Sequence, residues 1–391
     1  MTRVVLANEM GGGWGHLLPL RAIANEFIQR GCNVLLMCRD CEKAADAFGD
    51  MDIAIAIEQS PAWKVRKTGF SLNYAQCIWG NGYWDEERFQ THLAWWKKRF
   101  RTLKPDYVLT DYAPTALLAA MSLDIPRGAI GTGFTLPPAA TPMPGLHPWF
   151  SLPVNKLMES EDILVERIGR TLPSIQAVEH IFSGAQRYLI IFPETDHYEG
   201  SRQEKYWGPV FEQVSDRRYI WPEGNGPKTF FYLSAAGGAL KDFIAHVRDL
   251  GLPAVGYIRG LSESDRRKME SDTLRISPTP IDISRVASEC DLAVTHGGYG
   301  TSIRMLHAGK RLLICPEQLE QTLLAHRLHK QGLCEFVGFF SEKNRMKEKF
   351  DRIANAVALG KDAAAFAAKY AGYDATRTVR EIVHSCLTAA A

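Results

Sequence analysis

Short apolar runs alternate with amphipathic stretches along this chain. Residues 4–8 form an apolar run of strand length. A helix is predicted over 17–30, where Leu20, Ile23, Ala24, Phe27 and Ile28 recur at helical spacing until Gly31 stops it. Residues 33–38 read as the next strand, with further buried strands expected at 53–57, 107–110, 128–130 and 187–192. A second alternation starts at 229–234 and runs through a helix at 240–250 to strands at 254–258, 274–277, 292–295 and 311–315. Such β-α-β alternation predicts an α/β fold of two Rossmann-like domains, each a doubly wound parallel sheet, facing each other across a cleft. The expected division is 1–200, a Gly-, Pro- and charge-rich connection at 201–228, and a second domain at 229–361. An Ala-rich helical stretch follows at 362–391.

Composition narrows the class. At 391 residues, 46% hydrophobic and 23% charged, the chain suits two globular domains with sizeable cores. A net charge of +2 makes no case for nucleic acid. No run approaches the roughly 18 apolar residues of a membrane-spanning helix, and Met1-Thr2-Arg3 opens straight into a strand without a signal-peptide core. The basic run Lys97-Lys98-Arg99-Phe100-Arg101 could meet an anionic membrane surface, or simply be a solvated helix face, so membrane contact is peripheral at most. Eight cysteines lie scattered, mostly in apolar strands, which points to reduced thiols and a cytoplasmic location. Cys38-Arg39-Asp40-Cys41 has no second ligand pair at zinc-like spacing, and Asp50-Met51-Asp52 sits in a turn, so no metal is expected.

Two loops carry the candidate chemistry. His296-Gly297-Gly298-Tyr299-Gly300-Thr301 follows a strand and opens a helix, so backbone N–H groups can converge on an anion at a helix N-terminus. That is a pyrophosphate cradle, with His296, Gly298, Gly300 and Thr301 as donor contacts. Ser234, followed by Gly237-Gly238, ends another strand of the same half and is a further phosphate candidate. In the first half, Gly11-Gly12-Gly13-Trp14-Gly15 leads to His16 at a helix start, and Asp111 ends the strand at 107–110. Both stand at the carboxyl edge of the sheet, where open α/β sheets bind ligands. A neutral imidazole there can take a proton from a hydroxyl while a carboxylate fixes its tautomer. Alternatively, His16 caps its own helix and Asp111 caps the next, over 113–121.

The order His296, Gly298, Ala308-Gly309, Pro316, Glu320-Gln321 resembles the donor-binding block of plant- and macrolide-type nucleotide-sugar glycosyltransferases, and Gly15-His16-Leu17-Leu18-Pro19 resembles their Gly-His-x-x-Pro motif. The resemblance implies the GT-B arrangement of two Rossmann-like domains, with the C-terminal helix crossing back onto the first. It implies an inverting, metal-independent transfer from a UDP- or dTDP-type sugar to a hydroxyl-bearing acceptor, small-molecule or lipid-like, with no cofactor beyond that co-substrate. His16 would be the general base and Asp111 its partner. Glu320 and Gln321 would hold sugar hydroxyls, Thr279 the base, and Gly13 the donor from the first half. Arg304 stands where many members have a ribose-binding Glu, which favours a deoxyribose donor, since Arg accepts no hydrogen bond. Pro278 and Ile281 replace the base-stacking Trp and its Gln. Aromatic residues Trp63, Phe70, Tyr74, Trp79, Tyr83, Trp84, Trp95 and Trp96 crowd the first half. Trp79 and Trp84, with Phe134, are taken as acceptor contacts. The rivals are a nucleotide-sugar epimerase, an NAD-dependent oxidoreductase and a non-catalytic sugar-nucleotide binder. The oxidoreductase lacks a clean G-x-G-x-x-G here. Oligomeric state does not follow from the sequence.

Overall fold

The computed structural model describes residues 1–49, 51, 55–66, 71–149, 151–212, 219–236, 240–338, 345–355 and 357–391, with 357–359 by backbone alone. By its contacts the chain divides into two units, Met1–Glu212 with Asp374–Ala391, and Gln213–Tyr373. The first is built on a six-stranded parallel sheet: β1 (Arg3–Asn8), β2 (Asn33–Cys38), β3 (Ala56–Gln59), β4 (Tyr107–Asp111), β5 (Arg127–Gly131) and β6 (Gln186–Leu189), ordered β3-β2-β1-β4-β5-β6. The second holds β7 (Thr229–Ser234), β8 (Ala254–Arg259), β9 (Leu274–Ser277), β10 (Leu292–Thr295), β11 (Arg311–Ile314) and β12 (Glu335–Phe336), ordered β12-β11-β10-β7-β8-β9. Every paired strand in both sheets is parallel. Central strands such as β4 and β10 are buried along their whole length, as strands covered on both faces must be, and this is why they read as unbroken apolar runs.

Both sheets reverse direction at their centre. Successive strands step outward from β1 to β3, then resume on the other side with β4; likewise β7 to β9, then β10. At such a switch point the connections leave neighbouring strands toward opposite faces, opening a crevice at the carboxyl ends. The loops after β1 and β4 therefore meet at one crevice, and those after β7 and β10 at its counterpart in the second unit.

Element boundaries differ from the sequence reading in instructive places. The first helix is Trp14–Gln29 rather than 17–30, because Gly13 at φ 94° turns the loop directly into it. The third strand is Ala56–Gln59, set by pairing Leu35 with Ala56, while 52–54 lie outside the described residues. Beyond β6 the chain stays buried as far as Phe192 but leaves the ladder after Leu189, whose neighbour is then Tyr206. The stretch 201–212 belongs to the first unit: Trp207 meets Tyr188 edge-on at 5.3 Å, and its carbonyl accepts from Thr378 Oγ1 at 3.1 Å. The Ala-rich end is two helices. Val357–Lys369 stays with the second unit, and Ala375–Ala390 restarts at Asp374, whose carboxylate caps the amides of Thr376 and Arg377. The basic run is a helix face in which Phe100 is core and Arg99 pairs with Glu58.

The last helix belongs to the first unit because of spacing. Val379, Ile382, Val383 and Cys386 recur at i, i+3, i+4 and i+7, and all four join the core that holds Leu20, Ile23 and Phe27. Ile382 is fully buried there. Ile382→Ala is expected to cost about 2–5 kcal/mol of unfolding free energy, from lost burial plus the cavity left behind. Urea unfolding checks this. A change below about 0.5 kcal/mol, the range of surface substitutions, would show that the helix does not share the core.

Candidate functional site

In the first unit, β1 and β4 are neighbours at the switch point, with Asn8 level with Asp111. The Asn8 amide donates to the Asp111 carbonyl at 3.2 Å, tying the two strand ends together. His16 lies in the first turn of Trp14–Gln29, and its Nδ1 sits 2.9 Å from Asp111 Oδ2. A carboxylate oxygen accepts, so Nδ1 carries the proton and Nε2 is the nitrogen able to take one up. The capping alternative does not describe these residues. The helix of His16 has Gly13 at its N-cap and the helix Pro114–Met121 has Ala113, and neither N-cap residue makes a side-chain cap bond. Gly11 is required by close approach: a Cβ there would lie 2.6 Å from both the His16 ring and Asn8 Nδ2. Any side chain at 11 would push the imidazole off Asp111.

Tyr112, next after Asp111, has φ 45°, a backbone state that costs a bulky residue of order 1–3 kcal/mol and tends to mark functional sites. Its carbonyl accepts from the Met10 amide at 3.1 Å. Its ring stacks near-parallel to His16 at 6.3 Å, meets Phe134 edge-on at 6.3 Å, and its hydroxyl accepts from Asn81 at 3.4 Å. Of the three expected acceptor aromatics, Phe134 is therefore close to His16 through Tyr112. Trp79 instead lies under the Arg167 guanidinium at 5.2 Å, and Trp84 Nε1 donates to the Lys64 carbonyl at 3.1 Å. Tyr74, Tyr83 and Trp96 are core, and Phe70 is outside the described residues.

The helix Pro114–Met121 is capped from a distance. Glu9, just past β1, is buried and accepts from the amides of Thr115 (2.8 Å) and Ala116 (3.3 Å) and from Trp96 Nε1 (2.7 Å). Sequence reading missed both Glu9 and Tyr112. The available signals were a carboxylate directly after an apolar strand and a Pro-led helix with no capping residue ahead of it.

In the second unit the switch point lies between β7 and β10, and Ser234 and His296 end or follow those strands. The helix Tyr299–His307 has Gly298 at its N-cap, which has no side chain to cap it. Gly297 has φ 87°, and a Cβ there would stand 2.7 Å from Ile314, so this turn is reserved for glycine. Thr295 Oγ1 accepts from the Gly297 amide at 3.2 Å and lies 3.3 Å from Ser302 Oγ, bracing the loop from below. His296 Nδ1 faces the Tyr232 carbonyl at 3.3 Å, and its ring packs edge-on to Tyr232. Burial holds its pKa below the ordinary histidine value, opposed by that carbonyl. Since a carbonyl only accepts, Nδ1 bears the proton, while Nε2 stands 3.1 Å from where a Gly298 Cβ would be.

The remaining expected contacts are spread around this loop. Ser234 is buried and accepts from the Ala236 amide at 3.3 Å; Gly237 and Gly238 lie outside the described residues. Gly300 is exposed and Thr301 half-buried. Glu320 is in the first turn of Leu319–Lys330, and Gln321 Oε1 accepts from the Glu317 amide at 2.7 Å. Thr279 is exposed, its carbonyl accepting from Ser277 Oγ at 2.6 Å. Arg304 donates to Ser284 Oγ on the helix Ile283–Glu289. Gly13 belongs to the first unit, as the residue that starts the His16 helix. Among the described residues no cluster of three His, Cys, Asp or Glu side chains is placed to hold a metal ion, and Asp50 and Asp52 lie outside them. No described helix is long and apolar enough to cross a membrane.

Burial raises the Glu9 pKa to about 7, although three N–H donors favour its charged form. A raised carboxyl pKa contributes stability below the unfolded value of 4.5 that is lost as pH climbs through 7. Glu9→Gln should therefore remove a fall in stability of order 3 kcal/mol between those pH values. Glu161, buried and likewise raised to about 7, keeps some slope in both proteins. Urea midpoints across the pH range decide: equal slopes in the two proteins would contradict this account of Glu9.

No protein-family model matches the chain, and no curated protein sequence does. Solved structures do. The calicheamicin glycosyltransferase aligns with a TM-score of 0.71 at 16% identity, covering 99% of this chain and 98% of that one. The glycosyltransferase VinC, in complex with dTDP, gives 0.71 at 15%, covering 100% and 99%. SnogD, a glycosyltransferase from Streptomyces nogalater, gives 0.64 at 17%, covering 98% and 99%. The chain has the fold of these glycosyltransferases, two parallel six-stranded α/β units, over its whole length.

Proposed function

We propose that this protein is an inverting, metal-independent glycosyltransferase that moves a sugar from a nucleoside diphosphate to an acceptor hydroxyl. The observation that carries the reading is the His16–Asp111 pair, 2.9 Å apart at the first switch point. His16 Nε2 takes the acceptor proton while Asp111 holds the tautomer and stabilises the imidazolium. The acceptor oxygen attacks the anomeric carbon from the face opposite the diphosphate. The new C–O bond forms as the bond to phosphate breaks, and the nucleoside diphosphate leaves with the electron pair.

Charge then gathers on the diphosphate, where the backbone amides from Gly298 to Thr301, at the start of the helix, supply donors. His296 joins them once protonated at Nε2, a change that an arriving phosphate favours. Glu320 and Gln321 serve the sugar, and Ser234 and Gly237 the phosphates. Thr279 serves the base, and Gly13 lies on the first unit beside His16. Phe134, with Tyr112, offers an aromatic wall to a flat acceptor. A dTDP-type donor fits best: VinC is a complex with dTDP and the spinosyn rhamnosyltransferase SpnG a complex with thymidine diphosphate, and Arg304 replaces a ribose acceptor. The protein works without a resident cofactor, in the cytoplasm.

A thermal-shift series with dTDP, UDP, GDP, NAD and NADP tests the reading. Selective stabilisation by one nucleoside diphosphate is expected; a response to NAD alone would overturn it. With the responding donor and a panel of hydroxyl acceptors, His16→Ala should lower turnover about 10²–10⁴-fold while donor binding persists. Unchanged turnover would remove His16 as the base.

A further inference from the structure

The second unit carries an ion pair that no part of the transfer scheme uses. Arg259 is the last residue of β8, level with Ser234 on β7. Glu317 lies three residues past the end of β11. Arg259 Nη2 and Glu317 Oε2 are 2.9 Å apart. Between β8 and β11 run β7 and β10, so the two strands stand three intervals apart, roughly 14 Å at about 4.8 Å each. The pair closes that distance at the carboxyl edge, and so it must pass over the ends of β7 and β10. Those ends are Ser234 and the His296-Gly297 turn.

The pair is also held from one side only. Glu317 is fixed through its backbone amide, which donates to Gln321 Oε1. Its carboxylate has Arg259 as its hydrogen-bonded partner, and the Arg259 side chain is 58% exposed. A guanidinium matches carboxylate and phosphate alike in a bidentate geometry.

We propose that Arg259 and Glu317 form a strap over the diphosphate cradle, in which Glu317 holds the guanidinium until a diphosphate oxygen takes the carboxylate's place. The proposal rests on the donor-binding reading of the second unit. Arg259 then supplies a permanent cation beside the amides and His296, and Glu317 is an anionic competitor for the ligand's own position.

Titration calorimetry on the full-length protein tests this with thymidine diphosphate, inorganic pyrophosphate and thymidine as probes. Arg259→Gln should weaken thymidine diphosphate and pyrophosphate by about tenfold or more, the scale of a lost charge-assisted hydrogen bond. Thymidine, lacking phosphate, should be unaffected. Glu317→Gln should bind both diphosphates more tightly than wild type, since the competitor has lost its charge. Both positions are at least partly exposed, and unchanged thermal unfolding of the variants confirms folding. Affinity of Arg259→Gln within about threefold of wild type, or weaker diphosphate binding by Glu317→Gln, overturns the strap while leaving the donor site standing. Wild-type protein that binds neither pyrophosphate nor any of thymidine, uridine and guanosine diphosphate overturns the donor reading and the strap together.

Discussion

The reversal of strand order at the centre of each parallel sheet is the constraint on which everything else rests. A parallel sheet needs crossover connections, and right-handed crossovers send the chain to one face when strands are added in one direction and to the other when the direction changes. Only at that point do two adjacent loops part. In the first unit the parted loops bring His16 and Asp111 together from β1 and β4. In the second they bring Ser234 and His296 beside each other from β7 and β10. One topology, used twice, makes both sites.

The loops at these points are held by groups that a chemist would otherwise count as costly. Glu9 is a fully buried carboxyl group, yet it supplies the cap that Ala113 cannot, and it anchors Trp96 in the same stroke. Tyr112 accepts a left-handed backbone directly after Asp111, and Gly11 gives up its side chain so that the imidazole can approach. Buried polar groups and local strain persist where the surroundings over-determine them. Here those surroundings are the apolar strands beneath, which are buried on both faces.

Much of this was legible from residue order. The apolar runs gave the strands because strands of a covered parallel sheet must be apolar throughout. His16, Asp111 and His296 were found because polar residues at strand ends stand out against such runs. The aromatic residues were the opposite case. Trp63, Tyr74, Tyr83 and Trp96 look alike in sequence, and only packing separates the core members from a wall-former such as Phe134. Arg259 and Glu317 are 58 residues apart. Each reads as an ordinary surface charge, and nothing local hints that they meet.

The sequence by itself determined the α/β class, the doubling of the parallel sheet and the two strand-edge loops, because period and composition act over short distances. Tertiary structure alone decided which donors satisfy Glu9 and which charges span the second crevice. Those outcomes depend on three-dimensional proximity between residues 58 to more than 100 positions apart, as Glu9 with Thr115 and Arg259 with Glu317 show, and periodicity carries no information over such separations.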